Sequence, residues 1–323
     1  MFAVYVEQSN PMNPLSALCI GEQQKPDIPM GWSQVKVTHA SLNRHDIFTL
    51  QGVTGHDEPI LYPMILGNDG VGILDDGRPV VIYPVMGSTN WRGDEMLDPE
   101  WNILSEFVPG TFADYVVVPE RNLIPLPEQL SPIHASVLGT AWLTAYRALF
   151  TKSGLKPGQT MLVQGASGGM ATALIQMGCA AGFEVWATSR NHDTRLLAEK
   201  LGAHRTFASN EQLLHKVQAV FDNVGQASLT HSIQSTARGG TVAILGGTTG
   251  FDINLNLIPI FMNEIKVVGA VMGTLQEMHN LIQFIVKHNI KPEIGLILPM
   301  HKAYDGFQAM LTGSTSGKIV FTN

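Results

Sequence analysis

The period of the apolar positions changes along this chain, and the change divides it. Over the first ~120 residues, rich in glycine and proline, apolar and polar positions alternate in short stretches such as 34–40 and 70–74, the pattern of strands with one wet face. At 131, Ser131 followed by Pro132 has the arrangement of a helix start, and an apolar helix is predicted from there to about 150. Beyond it, unbroken apolar runs alternate with helical stretches. Met161-Leu162-Val163 is too short for a helix and too apolar for a half-wet strand, so it reads as a strand buried on both faces, as a parallel sheet requires. Six such strands are predicted, at about 160–164, 183–188, 204–207, 218–222, 240–245 and 265–271, the number a complete doubly wound sheet needs. Helices are predicted over 169–181, where Ala171, Ala173, Gly178 and Ala180 let the helix lie close on the sheet, over 193–201 before Gly202, and over 275–288. The tail, 304–322, offers another helix and a last strand, GKIVF, which need not belong to the middle domain.

Candidate chemistry enters at the turn after the first buried strand. Gly165-Ala166-Ser167-Gly168-Gly169 permits positive φ and a close anion, and the helix beginning there offers unpaired N–H groups at its positive end. Against the dinucleotide fingerprint G-x-G-x-x-G, the series Ala166, Gly168, Ala171 keeps only the central glycine, so the strand–turn–helix context carries the reading. Gly168, Gly169, Met170 and Ala171 are expected to cradle a pyrophosphate. At the end of the second strand, where an acidic residue would bind the free ribose of NAD, the chain has Thr188, Ser189 and Arg190. A guanidinium pairs with a 2′-phosphate that a carboxylate would repel, so the expected cofactor is NADP(H). Ligands of doubly wound sheets lie beyond the carboxyl ends of the strands, which adds Asn223 near the ribose and Leu245, Gly246, Gly247, Met272 and Gly273 at the nicotinamide end.

Composition narrows the class. With 323 residues the chain exceeds one ordinary core, and two domains are expected. A formal charge of −7 argues against general attraction to nucleic acid or anionic membranes. MFAVYVEQ lacks the basic region and apolar core of a secretory signal, and no run approaches the ~18 apolar residues of a membrane span. Two distant cysteines, Cys19 and Cys179, give no disulfide framework, so the cytoplasm is expected.

ASLNRHDIF, GTFADYVVVPE, LGTAWLTAYRALF, GASGGMA and SGKIVF occur in the order seen in medium-chain dehydrogenase/reductases, and the chain resembles that superfamily from end to end. Within it, the chain is most similar to the zinc-independent quinone oxidoreductase-like branch, and NLNLIPIFMNEIKVVGAVMGT resembles a bacterial subgroup of zinc-type alcohol dehydrogenase-like proteins. The resemblance implies an α/β protein: a GroES-like irregular β-barrel catalytic domain, 1–122 with 272–323, and a six-stranded Rossmann domain, 123–271. It adds Thr144 and Lys318 as cofactor contacts and implies a homodimer, for which the apolar edge strand 265–271 is the physical candidate.

The resemblance also locates the positions where the zinc branch binds its metal, and here they hold Asn43, Asn68 and Thr140, with Asp69 keeping the family's acid. Amides and hydroxyls bind zinc far more weakly than thiolate or imidazole, so no catalytic metal is expected. The lobe that holds four cysteines in zinc relatives falls around 86–108 and has none. His39, His45 and His56 match no standard metal spacing and read as surface or satisfied polar residues. Without a Lewis acid, reduction of an activated acceptor is the expected chemistry: hydride from NADPH to a quinone or an α,β-unsaturated carbonyl. Asn43, Asn68 and Thr140 are expected to face the nicotinamide and donate hydrogen bonds to the developing oxyanion, against the alternative that the two asparagines form local turns. Asp46 is expected to orient a neighbour. Tyr83, Tyr5, Tyr62, Tyr115 and solvent all remain as proton sources. Two other functions stay open, a zinc-dependent alcohol dehydrogenase and a silent NADPH-binding module.

Overall fold

The computed structural model describes residues 1–323, which divide into two units. Unit 1 comprises Met1–Thr140, Gly273–Lys287 and Ile294–Asn323; unit 2 comprises Ala141–Met272 and His288–Glu293.

Unit 1 begins with the antiparallel pair β1 (Phe2–Val6) and β2 (Leu18–Glu22), followed by the long β3 (Trp32–Leu42) and α1 (Arg44–Gln51). After β4 (Met64–Ile65) come β5 (Asp69–Leu74), β6 (Pro79–Ile82), the short antiparallel pair β7 (Val85–Met86) and β8 (Asn102–Ile103), β9 (Tyr115–Pro119), β10 (Leu123–Pro125) and α2 (Pro132–Ala135). The first boundary falls at 140/141, whereas 122/123 was expected from the sequence. The cause is strand pairing: β10 runs antiparallel to β6, which ties the segment after 122 to the β unit. The helix predicted over 131–150 is interrupted. α2 ends at Ala135, and π-helical turns over Leu138–Trp142 and Arg147–Lys152 flank α3 (Leu143–Tyr146). Such turns cluster at functional positions.

Unit 2 contains β11 (Thr160–Gln164), α4 (Gly169–Ala180), β12 (Glu184–Thr188), α5 (His192–Lys200), β13 (Arg205–Phe207), β14 (Val217–Asp222), α6 (Leu229–Ser235), β15 (Thr236–Ile244), α7 (Ile258–Met262) and β16 (Lys266–Gly269). Its six strands form one parallel sheet in the order β13-β12-β11-β14-β15-β16, the doubly wound Rossmann arrangement. Leu162, Trp186, Val220, Val242 and Ile233 form its core. A Cβ on Gly178 of α4 would lie 2.8 Å from Met161 Sδ and 2.9 Å from Val185 Cγ2, so the missing side chain is what lets this helix sit against β11 and β12.

The chain then returns to unit 1 with α8 (Leu275–Lys287), β17 (Ile294–Pro299), α9 (Ala303–Thr312) and β18 (Lys318–Thr322). β18 lies between β17 and β3, in the sheet order β10-β6-β5-β3-β18-β17. Phe112, Phe307 and Phe321 pack mutually in the core, with Phe112 edge-on to Phe321 at 5.1 Å. Two registers build the site: β18 places Ile319 opposite Leu42, and β5 places Asp69 opposite Ser41. Lys318 and Asp69 are thereby brought to the same end of β3. No helix is long and apolar enough to cross a membrane.

Candidate active site

The polar centre of unit 1 is Asp69, fully buried at the start of β5. Its Oδ2 accepts from Ser41 Oγ (2.7 Å), Asn43 Nδ2 (2.9 Å) and Lys318 Nζ (3.1 Å), and its Oδ1 accepts from Thr140 Oγ1 (2.6 Å). Lys318 is only 3% exposed. Its ammonium has three N–H donors and three acceptors at hand, Asn43 Oδ1 (2.6 Å), Leu42 O (2.9 Å) and Asp69. Asn43 and Thr140 thus meet at one carboxylate, together with a lysine the sequence reading had assigned to the cofactor. Asn68 lies beside Asp69 in the chain, but its Nδ2 donates to Leu104 O. Asn43 Nδ2 also reaches Ser41 O at 3.3 Å.

This geometry corrects one expectation. Both amide hydrogens of Asn43, one of Asn68 and the hydroxyl of Thr140 are engaged within the protein, so Asn43 and Thr140 are not open donors aimed at a developing oxyanion. Tyr83 is likewise committed, its hydroxyl donating to Gly273 O at 2.7 Å. Ser41, and Lys318 as an internal counter-ion, escaped the sequence reading because strand register alone brings them to Asp69.

Asp46 orients its neighbours, accepting from the amides of Asn43 and Gly67 at 2.8 Å each. Burial pushes its carboxyl up to about 6, against the opposing pull of the His45 charge and those two amides. A carboxyl whose folded pKa lies above its unfolded value contributes stability that is full below about pH 4 and lost as pH rises through about 6. The shift corresponds to about 3 kcal/mol. Replacing Asp46 by Asn is therefore expected to flatten the fall in unfolding free energy between about pH 4 and 6, measurable by urea denaturation across that window.

A catalytic zinc takes its protein ligands from thiolate, imidazole and carboxylate. The three positions supply two amides and a hydroxyl, and the adjoining carboxylate is occupied by an ammonium, so the residues do not suit the metal. No three His, Cys, Asp or Glu side chains converge as a metal site elsewhere. Cys19 and Cys179 are both free thiols. His45 and His56 do come together, across Glu106, while His39 lies apart with Nδ1 3.1 Å from Thr38 Oγ1.

In unit 2 the residues fit a dinucleotide. Ser167 and Gly168 are exposed, and nothing lies within 4 Å of where a Cβ on Gly168 would be. α4 begins at Gly169, so the amides of Gly169, Met170 and Ala171 fall in the helical turn that has no internal partners. Arg190 is exposed beyond β12, and Ser189 Oγ accepts from the Asn191 amide at 3.2 Å. Thr188 is corrected: it is buried, and its hydroxyl donates to Gln164 Oε1 at 2.6 Å, which removes it from the phosphate-facing set. Arg195, which the sequence reading missed, donates to Ser189 O at 2.8 Å and brings a second guanidinium under this turn. Five positions beyond Arg190, at the start of a predicted helix, it was a readable signal. Asn223 and the loop Leu245-Gly246-Gly247 lie together past β14 and β15, where Leu245 N donates to Asp222 O at 2.8 Å. Thr144 is buried in α3, and Met272, also buried, has φ +44°.

Comparison with known proteins agrees with this architecture. Residues 29–128 match the alcohol dehydrogenase GroES-like domain, and residues 169–287 match the zinc-binding dehydrogenase family. The second match includes none of positions 43, 68 and 140. The chain is 26% identical to an alcohol dehydrogenase of Geobacillus stearothermophilus, over 94% of this chain and 95% of that one. It is 27% identical to quinone oxidoreductase of Mus musculus, over 88% and 87% respectively. The crystal structure of an NAD-dependent alcohol dehydrogenase superposes with a TM-score of 0.93 at 28% identity, covering both chains in full. The chain belongs to the medium-chain dehydrogenase/reductase superfamily and is an oxidoreductase of that class with a nucleotide-binding Rossmann fold.

Proposed function

We propose that this protein is an NADPH-dependent reductase of quinones or α,β-unsaturated carbonyls that works without a catalytic metal. The observation that carries this reading is Lys318. At the positions where zinc relatives place their ligands, a buried ammonium is bonded to Asn43 and Asp69, so the positive charge of the site belongs to the protein itself. An alcohol needs a Lewis acid to become an alkoxide, whereas an enone or quinone is already electrophilic at the atom that accepts hydride. Bound NADPH supplies the hydride. Asp69 and Lys318 fix Asn43 and Thr140, and Asp46 fixes the turn that carries Asn43, so the chain's contribution is a rigid polar wall that needs no reorganisation during reaction. Arg190, supported by Arg195, favours the 2′-phosphate of NADPH over the free ribose of NADH.

The edge strand β16 exposes Val267, and Val271 follows it, beside exposed Leu257, Ile258, Phe261 and Met262. Apolar surface of this kind supports a homodimer joined through unit 2. The two free thiols support the cytoplasm. One specific observation favours a second reading, a silent NADPH-binding module: the side-chain donors of Asn43 and Thr140 are spent inside the protein, as is one of Asn68. Following NADPH absorbance with a panel of quinones, enones and aldehydes separates the two. Oxidation by a quinone or enone, faster with NADPH than NADH, supports the reductase. Tight NADPH binding with no oxidation by any acceptor contradicts it.

A further inference from the structure

We propose that Gln164 is a positioning residue for the dinucleotide: its buried amide ties the glycine turn expected to hold the pyrophosphate to the loops expected to hold the nicotinamide ribose. The inference goes beyond the choice of NADPH or of acceptor, and rests only on a nicotinamide dinucleotide lying beyond the carboxyl ends of β11, β12 and β14. Gln164 is 2% exposed, so it acts through its neighbours.

Gln164 closes β11, and its side chain is bonded at both ends. Its Oε1 accepts from Thr188 Oγ1 (2.6 Å), on the last residue of β12. Its Nε2 donates to Ser232 Oγ at 3.0 Å and lies 2.9 Å from His231 Nδ1, both on α6. Thr188 in turn holds the start of the glycine turn: Gly165 N donates to its hydroxyl oxygen (3.3 Å) and Ala166 N to its carbonyl (2.9 Å). On the other side, Ser232 Oγ donates to Asp222 Oδ2 (2.6 Å) at the end of β14. Asp222 is fully buried, and its carboxylate also accepts from Ser228 Oγ (2.8 Å) and from the amides of Val224 (2.9 Å) and Gly225 (3.0 Å). Those amides shape the loop that begins at Asn223. Gly225, at φ +87°, lies so close to the loop after β15 that a Cβ on it would be 2.7 Å from Gly247 Cα. The path therefore runs from the residue before Ser189-Arg190 to the glycines of the far loop.

The direction of each bond follows from its neighbours. Thr188 has one hydroxyl hydrogen and accepts from Gly165, so that hydrogen goes to Gln164 and the oxygen of the amide faces Thr188. Ser232 gives its hydrogen to Asp222 and so accepts from Gln164. His231 Nε2, 2.8 Å from Glu211 O, carries the ring hydrogen, which leaves Nδ1 to accept the second amide hydrogen. Every hydrogen from Gly165 to Ser232 thus points toward one charge, Asp222, and bonds aligned in this way strengthen one another. A glutamate at 164 would keep the shape but set an oxygen against two acceptors and a second carboxylate near Asp222. A methionine would leave the Thr188 hydroxyl and His231 Nδ1 buried without partners.

β11 pairs with β12 and β14 through the main chain whatever stands at 164, so the amide sets the loops beyond the strand ends. Without it, Thr188 keeps its main-chain hold on Ala166, and the adenosine side is retained. α6 and the Val224-Gly225 loop lose their tie to the turn. A ligand that spans both sides must then order them itself, and the loss appears only in the affinity for the whole dinucleotide.

The test is calorimetric titration of wild type, Gln164→Glu, Gln164→Met and Thr188→Val with NADPH and NADH, and with their adenosine halves, adenosine 2′,5′-bisphosphate and AMP. Each variant is checked for wild-type secondary structure by circular dichroism. Both Gln164 variants are expected to bind either dinucleotide about 10-fold more weakly and the adenosine halves within about twofold of wild type. Adding Thr188→Val to Gln164→Met is expected to weaken NADPH by no more than about a further twofold, since both cut the same path. Unchanged NADPH affinity in the Gln164 variants overturns the proposal, and so does an equal loss for NADPH and its adenosine half, which would mean that unit 2 has merely loosened. If Gln164→Met does not fold, Gln164→Glu and Thr188→Val carry the same test. A wild type that binds neither NADPH nor NADH removes the dinucleotide reading itself, and the proposal with it.

Discussion

Replacing Lys318 by methionine is expected to cost about 3 kcal/mol of stability or more and to abolish turnover, because it strands the buried carboxylate of Asp69. Methionine keeps the length and the apolar stem, so packing against β3 is largely retained and the loss isolates the charge. Asp69 would keep its bonds from Ser41, Asn43 and Thr140 but lose its only ion pair, while Asn43 Oδ1 and Leu42 O would both lose their donor. The pair is not expected to be worth that much in itself, since bringing two charges out of water offsets most of their attraction. A double-mutant cycle tells these apart. Lys318→Met combined with Asp69→Asn should be more stable than Lys318→Met alone, with a coupling energy above about 1 kcal/mol by urea denaturation. A Lys318→Met protein within about 0.5 kcal/mol of wild type would show that the ammonium is not needed to hold the site.

The second large effect concerns the choice of cofactor. Arg190→Ala is expected to weaken NADPH binding about 10- to 100-fold and to leave NADH nearly unchanged, the loss of one to two charge-assisted hydrogen bonds to a phosphate. Arg195 keeps the loss from being larger, because its guanidinium stays anchored on Ser189 O beside the turn. Arg190→Asp should go further and invert the preference, since a carboxylate there repels the 2′-phosphate and accepts from a free ribose. Fluorescence titration of both variants with both cofactors reads this out. Equal losses for NADPH and NADH would mean that Arg190 supports the loop and does not recognise phosphate.

The parallel sheet was legible in the sequence and the polar centre was not, for physical reasons. A strand buried on both faces is an unbroken apolar run, so β11 and β14 were located to within a residue of their observed bounds, and Gly178 was recognised as a contact point for α4. In unit 1 the pattern was thinner. β17 carries only partial burial along its length and was not read, and the helix over 131–150 hid the π-helical turns that bring Thr140 to Asp69. The site depends on pairings that no local window contains: Lys318 meets Asp69 across 249 residues, and Glu106 meets His45 across 61. Residue types at 43, 68 and 140 carried the argument that the donor set is poor for zinc. They could not reveal that Asn43 and Thr140 were already committed to Asp69, because that depends on the register Ser41–Asp69 and on the lysine that follows from Leu42–Ile319.

The central claim is that the cation of this site is Lys318 and no bound metal takes part. The direct measurement is the initial rate of NADPH oxidation by an enone or quinone before and after exhaustive chelation, with metal content checked by elemental analysis. The account predicts the same rate in both, with no stoichiometric zinc. A rate that vanishes on chelation and returns with added zinc would contradict it.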